Sequence, residues 1–145
     1  MMYLKQATET DFAILIQIWE ASVRATHDFL PETIIEDLRP LILNDYLPNL
    51  IIYKVVNDQH IIEGFVAVDQ QRVEMLFISP QARGQGIGKM LLAFAMTELQ
   101  INELDVNEQN EQGVGFYKHM GFQVFARSAV DGQGNPFPLL HMKLA

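Results

Sequence analysis

Arg83-Gly84-Gln85-Gly86-Ile87-Gly88 follows one apolar run, Met75-Leu76-Phe77-Ile78, and opens another from Met90 to Leu99. The first run reads as a strand and the second as a helix. Glycines at alternate positions let the backbone turn tightly and approach a ligand closely. The helix start beyond them offers unpaired N–H groups and the positive end of the helix dipole. A strand, this loop and a helix in that order predict a receptor for a phosphate or pyrophosphate.

The flanking sequence divides into short elements. Upstream, Tyr3 to Ala7 predicts a strand. Thr8 to Asp11 has capping-box spacing ahead of a helix whose apolar positions are Phe12, Leu15, Ile16, Trp19 and Val23. Pro31 suits the first turn of a second helix, with Ile34, Ile35, Leu38 and Leu41 as its buried positions and Pro40 placed to bend or end it. Leu50–Val56, Ile61–Val68 and Arg72–Ile78 predict three strands, Gly64 marking a bulge in the second. Downstream, Ile87, Leu91, Ala95 and Leu99 share one helix face. Ile101 to Val106 predicts a strand, Asn110 to Met120 a last helix stopped by Gly121, and Phe122–Val130 with Phe137–Leu144 a hairpin. The order β-α-α-β-β-β-α-β-α-β-β predicts an α/β (α+β) fold in one domain over residues 1–145, a mixed sheet with helices on both faces.

Composition narrows the function classes. The chain has 145 residues, 49% hydrophobic and 19% charged, as a globular domain requires. It contains no cysteine, which removes disulfides, thiol nucleophiles and cysteine metal sites and agrees with a reducing cytoplasm. The four histidines show no metal-ligand spacing, so no metal is expected. No apolar run reaches membrane-spanning length and no signal peptide is visible. The net charge of −8 argues against nucleic-acid binding and agrees with a cationic substrate. Nothing in the sequence separates a monomer from a homodimer.

Two phosphate-binding motifs fail on spacing. A P-loop needs four residues between its glycine and Gly-Lys-Ser/Thr; Gly84 is three residues before Gly88-Lys89, and Met90 follows. The dinucleotide fingerprint needs Gly-x-Gly-x-x-Gly early in a βαβ unit, whereas this loop comes after several strands that read as antiparallel. Arg83 to Gly88 instead resembles the Arg/Gln-x-x-Gly-x-Gly/Ala signature of the GCN5-related N-acetyltransferase (GNAT) superfamily. Asn107-Glu108-Gln109-Asn110, Gly113, Phe116-Tyr117 and Gly121-Phe122 are similar to its second segment, with Gly113 where many relatives carry Ala. Thr26 to Leu30, Val106 to Gln112 and Pro136 to Leu140 resemble a bacterial branch of that superfamily.

The resemblance implies a mostly antiparallel sheet of about seven strands, splayed in the middle, that receives acetyl-coenzyme A. It implies cofactor contacts from Leu76, Phe77 and Ile78, from Arg83, Gly84, Gln85, Gly86, Ile87, Gly88 and Lys89, and from Asn110, Phe116 and Tyr117. The implied reaction is direct acetyl transfer to a primary amine of a small molecule or of a protein lysine or N-terminus. A second reading is an acetyl-coenzyme A sensor with little turnover. Tyr117 is the candidate general acid, since a phenol can donate to a leaving thiolate. Glu74 is the candidate base, placed by strand alternation on the face of Leu76 and Ile78. His27 is its rival, with water a third possibility. Trp19, His27, Phe29 and Leu30 are expected to bound the acceptor pocket. His119 and His141 stand alone in the sequence, and no serine–histidine–acid constellation is apparent in it.

Overall fold

The computed structural model describes residues 1–145. Its strands are β1 (Tyr3–Gln6), β2 (Ile51–Val56), β3 (Ile62–Asp69), β4 (Arg72–Ile78), β5 (Glu103–Asn107), β6 (Phe122–Ser128) and β7 (Leu139–Leu144). Its helices are α1 (Phe12–Thr26), α2 (Glu32–Leu41), α3 (Ile87–Glu98) and α4 (Glu111–His119). The strands form one sheet in the order β1-β2-β3-β4-β5-β7-β6. Every neighbouring pair is antiparallel except β4 and β5. The mixed sheet expected from the sequence is therefore the one observed.

Alternation along the strands creates two cores. On one face Val55, Val66, Val68 and Val73 meet Ile87, Leu91, Leu92 and Ala95 of α3, with Phe116 and Tyr117 of α4 packed alongside. On the other face Ile52, Phe65, Ala67 and Met75 meet Leu15, Trp19 and Val23 of α1 and Ile35 of α2. This second core draws on β2, β3 and β4 and takes nothing from β5, β6 or β7. Three of the seven strands thus contribute nothing to the core on that side.

Local departures have local causes. Pro40 neither ends nor breaks α2; it sits one residue inside the helix end, and the chain continues through a wide π turn at Ile42–Tyr46. The lost N–H falls where the hydrogen-bond pattern is already changing. The bulge expected at Gly64 is present: Val55 pairs with Gly64 and Val56 with Ile62, leaving Glu63 over. A side chain at Gly64 would lie 2.8 Å from Ile78 Cδ1 and 3.1 Å from the Phe77 carbonyl oxygen, so glycine also permits a close strand approach. A second bulge, which the sequence did not suggest, lies in β4. Ala67 pairs with Met75 and Val68 with Val73, so Glu74 is the extra residue.

Candidate active site

The site is a fork in the sheet. β4 and β5 share two register positions, Arg72 with Glu103 and Val73 with Leu104, and then part. β4 runs on to Ile78 and β5 to Asn107 without a strand between them. Their facing backbone groups are open sheet edges, able to pair with an extended ligand. A cavity of about 520 Å³ occupies this region. It is lined from β4 by Glu74, Leu76, Phe77 and Ile78, and from β5 by Asp105 to Asn107.

At one end of the lining lies the glycine loop. Gly84 and Gly86 take φ of +82° and +79°, and a Cβ at either would meet nothing within 4 Å. Gly86 caps α3 in the left-handed conformation. No backbone N–H from Gly84 to Lys89 donates to another protein group; the first helical bond here is from Met90 to the Gly86 carbonyl oxygen. A row of free amides at a helix start, with Arg83 and Lys89 beside it, fits a pyrophosphate. Gly88 backs onto Phe116 and Ile78, with 3.6 and 3.9 Å left for a Cβ, which seats the first turn of α3 between β4 and α4. Gln85 is exposed and does not line the cavity.

α4 supplies the second wall. Asn110 is its N-cap, and the Asn110 Oδ1 accepts from the Gly113 N–H at 3.1 Å. The Nδ2 donor is left for a ligand. A Cβ at Gly113 would collide with that Nδ2, so the glycine at this position makes room for the capping amide. Tyr117 packs edge-on against Phe116 and Phe122, at ring separations of 5.3 and 6.2 Å. Burial pushes its phenol above the ordinary value of 10.0, so it holds its proton at neutral pH. Its hydroxyl takes part in none of the side-chain hydrogen bonds and is not sealed away, since the residue lines the cavity.

The opposite end is acidic. Glu74 and Asp105 are the first residues past the last paired position on each branch of the fork. Arg72 lies at the apex, 2.6 Å from Asp105 Oδ2 and 3.5 Å from carboxylate oxygens of both Glu74 and Glu103. His27 closes the end of α1 and lines the same cavity. The Thr26 hydroxyl donates to the Ser22 carbonyl oxygen at 2.8 Å and lies 2.7 Å from His27 Nδ1. Since that hydroxyl proton is already used, Nδ1 carries the donor and Nε2 keeps a lone pair. Burial lowers the His27 basicity, with the Asp28 charge opposing, and the ring is neutral at pH 7.

Three residues expected near the acceptor lie behind the cavity wall and do not line it. Trp19 is 3% exposed and belongs to the core under α1. Leu30 packs on that same core. Phe29 stacks between His27 and Phe137, at 5.3 and 6.0 Å. Conversely, His141 does not stand alone. Its Nδ1 lies 2.6 Å from Asp105 Oδ1 and its Nε2 lies 2.6 Å from Ser128 Oγ. A serine–histidine–acid constellation therefore exists. Its members come from β6, β7 and β5, which become neighbours only because β7 inserts between the other two.

A forked sheet with free amides at one helix start defines an acyl-coenzyme A acyltransferase. Residues 42–145 match the family model described as an acetyltransferase (GNAT) domain, and the chain belongs to that family. It is an acetyl-coenzyme A-dependent N-acetyltransferase. The chain is 44% identical over 142 residues to the peptidyl-lysine N-acetyltransferase YjaB of Salmonella typhimurium, covering 98% of this chain and 97% of that protein. The solution structure of apo-form YjaB from Escherichia coli superposes with a TM-score of 0.91 at 37% identity, covering 100% of this chain and 98% of that one. The Thermoplasma acidophilum PaiA N-acetyltransferase, solved in complex with coenzyme A, shares the fold with a TM-score of 0.79 at 21% identity, covering 100% and 99%.

Proposed function

We propose that this enzyme acetylates lysine ε-amines presented by peptides or proteins, and that residues 1–145 act as one catalytic domain. The observation that carries this reading is the charge separation along one cavity. Arg83, Lys89 and free amides occupy its glycine-loop end, while Glu74 and Asp105 occupy the apex of the fork. Phosphates suit the first end and an alkylammonium the second. The names of the relatives support the acceptor class: the Salmonella protein is called a peptidyl-lysine N-acetyltransferase.

The donor supplies an acetyl group as a thioester, whose carbon an amine can attack with departure of the thiolate. The chain's own groups then take these parts. Gly84, Gly86, Ile87, Gly88 and Lys89 hold the diphosphate through backbone N–H groups, with Arg83 beside them, while Gln85 faces solvent. The open edge of Leu76, Phe77 and Ile78 pairs with the amides of the pantetheine arm, and one of its N–H groups steadies the carbonyl oxygen as negative charge grows. Asn110 donates from Nδ2, and Phe116 supplies an apolar wall.

Two ionisable groups move protons. Glu74 accepts a proton from the acceptor ammonium through water, which leaves a lone pair for attack. His27 Nε2 accepts a hydrogen bond from the same nitrogen and orients it. Its lowered basicity makes it a weaker proton acceptor than its position suggests. Tyr117 gives its hydroxyl proton to the departing sulfur and recovers one from solvent. Trp19, Phe29 and Leu30 stiffen the wall behind His27.

The test is acetylation of a lysine-containing peptide by the purified enzyme, read by mass spectrometry at residue resolution. Free spermidine and a lysine-free peptide with an open N-terminus run in parallel. Acetylation of the ε-nitrogen supports the reading. Exclusive modification of the α-amine or of spermidine refutes it. Failure to release thiol with any amine would favour a sensor.

A further inference from the structure

We propose that Ser128, His141 and Asp105 form a second acyl-handling centre, on the face of the sheet opposite α3, that cleaves small activated carboxylic esters. Asp105 and His141 are register partners on β5 and β7, and β6 places Ser128 two register positions further along, opposite Leu139. Leu104, Val106 and Met142, which alternate with Asp105 and His141, are buried under α3. Asp105 and His141 therefore point to the opposite face, where β5, β6 and β7 contribute no residue to the core under α1 and α2.

The hydrogen bonds select one tautomer of the neutral ring. An ionised carboxylate can only accept, so His141 Nδ1 carries the proton and donates it to Asp105 Oδ1 at 2.6 Å. In the neutral ring Nε2 then holds the lone pair and accepts from the Ser128 hydroxyl, 2.6 Å away. Arg72 donates to the other Asp105 oxygen and holds the carboxylate in line. A nucleophile, a base within hydrogen-bond reach and a group orienting that base are the three parts of an activated serine.

The surroundings suit an ester. The backbone N–H groups of Ala129 and Val130, which directly follow Ser128, donate to no protein group. Both residues are exposed, so these donors are available to a carbonyl oxygen beside Oγ. The Phe125 ring is 48% exposed and 6.3 Å from the His141 ring, an apolar platform for an aryl or alkyl group. Lys143 Nζ lies 4.9 Å over that ring and fixes its place at the edge of the platform.

In the first half-reaction, Ser128 Oγ forms a bond to the ester carbon while its proton passes to His141 Nε2. The ester C–O bond breaks, and Nε2 returns the proton to the alcohol that leaves. In the second, a water oxygen attacks the acyl-serine and gives a proton to Nε2. The acyl–Oγ bond breaks, a carboxylic acid departs, and Ser128 regains its proton. Water is the co-reactant, and no electrons change hands.

The experiment treats the full chain, without coenzyme A, with p-nitrophenyl acetate and separately with a fluorophosphonate probe, mapping adducts by mass spectrometry. Expected results are a burst of nitrophenol, a fluorophosphonate adduct on Ser128, and losses of about 100-fold or more in both for Ser128→Ala and His141→Gln. Acetylation of amines by acetyl-coenzyme A is retained in both variants, which separates this centre from the fork. Ser128→Cys, which keeps a nucleophile of similar size, retains the nitrophenol burst and guards against a folding artefact. An unlabelled Ser128 in the folded wild-type chain overturns the proposal. So does labelling in His141→Gln at the parental rate.

Discussion

Tyr117→Phe separates chemistry from architecture. The substitution removes one hydroxyl, and that hydroxyl has no protein partner in the structure. The ring keeps its edge contacts with Phe116 and Phe122. A hydrogen bond within a protein contributes about 1 kcal/mol, and here none is lost. Stability should change by less than about 0.5 kcal/mol, which moves Tm by under about 2 °C in a domain of this size. Catalysis should respond very differently. A positioned general acid contributes about 10²–10⁴-fold, or roughly 3–5 kcal/mol of barrier. The assay is thiol release from acetyl-coenzyme A with a lysine peptide, alongside thermal melts with and without coenzyme A. The expected pattern is a kcat lowered at least about 100-fold, with cofactor-induced thermal shift unchanged. Burial holds the proton on Tyr117, so the wild-type rate should not lose this acid between pH 7 and about 10. A variant within threefold of wild type refutes the assignment. Equal losses of activity, Tm and cofactor binding would show that the ring's packing is what matters.

Four further outcomes follow from the geometry. His27 is neutral in the fold and has a folded value below its ordinary 6.5. The unfolded chain therefore binds more protons in acid, and stability present above pH 6.5 is lost as pH falls towards the folded value; His27→Gln should flatten Tm against pH in that window. Gly64→Ala forces a Cβ to within 2.8 Å of Ile78 and 3.1 Å of a backbone oxygen. It should destabilise by about 1–3 kcal/mol in denaturant titrations. Gly86→Ala finds open space but the wrong backbone region, so it should cost about 1–2 kcal/mol and raise KM for acetyl-coenzyme A. Gly113→Ala pushes on Asn110 Nδ2, so KM for acetyl-coenzyme A should rise while improved helix propensity holds Tm steady.

The parts of the fold that could be read from sequence are those whose signals are local. The glycine loop, the strand before it and the helix after it lie within Arg72 to Leu99, and all three occur as expected. The last helix, expected over Asn110 to Met120, occupies Glu111–His119, with Asn110 as its N-cap. Boundaries moved where flanking residues looked similar on both sides. The strand expected to run from Phe122 to Val130 stops at Ser128, and the one expected from Phe137 starts only at Leu139. Trp19 was ambiguous because a buried helix face and a pocket wall have the same spacing, and burial in the α1 core settles its position. Glu74 was placed by simple alternation, but the bulge that makes it the extra residue depends on how β3 aligns with β4. The Ser128–His141–Asp105 constellation was invisible for a stronger reason. Its members are separated by 13 and 36 positions and meet only through the order β5-β7-β6.

The fork itself has a physical cause, and that cause links the two ends of the site. Two open strand edges running side by side would ordinarily pair, because unpaired edge groups are a liability. Here the parallel ladder stops after Val73 and Leu104, one residue before the extra residue of β4. A bulge increases local twist and turns its strand away from its neighbour. Beyond it, Ile78 packs beside Gly88 and Phe116, so the first turn of α3 and the side of α4 occupy the place where closure would bring backbone together. Arg72 completes the arrangement at the apex, where one guanidinium serves Glu74, Glu103 and Asp105. Without that cation, three carboxylates at the root of the fork would repel one another. The bulge that exposes the β4 edge for a thioester arm also brings Glu74 to the cavity, and the arginine that holds the fork's root also holds the aspartate behind His141. Donor binding, acceptor charge and the serine–histidine pair thus share one structural origin: a single extra residue in β4 and the arginine two positions before it.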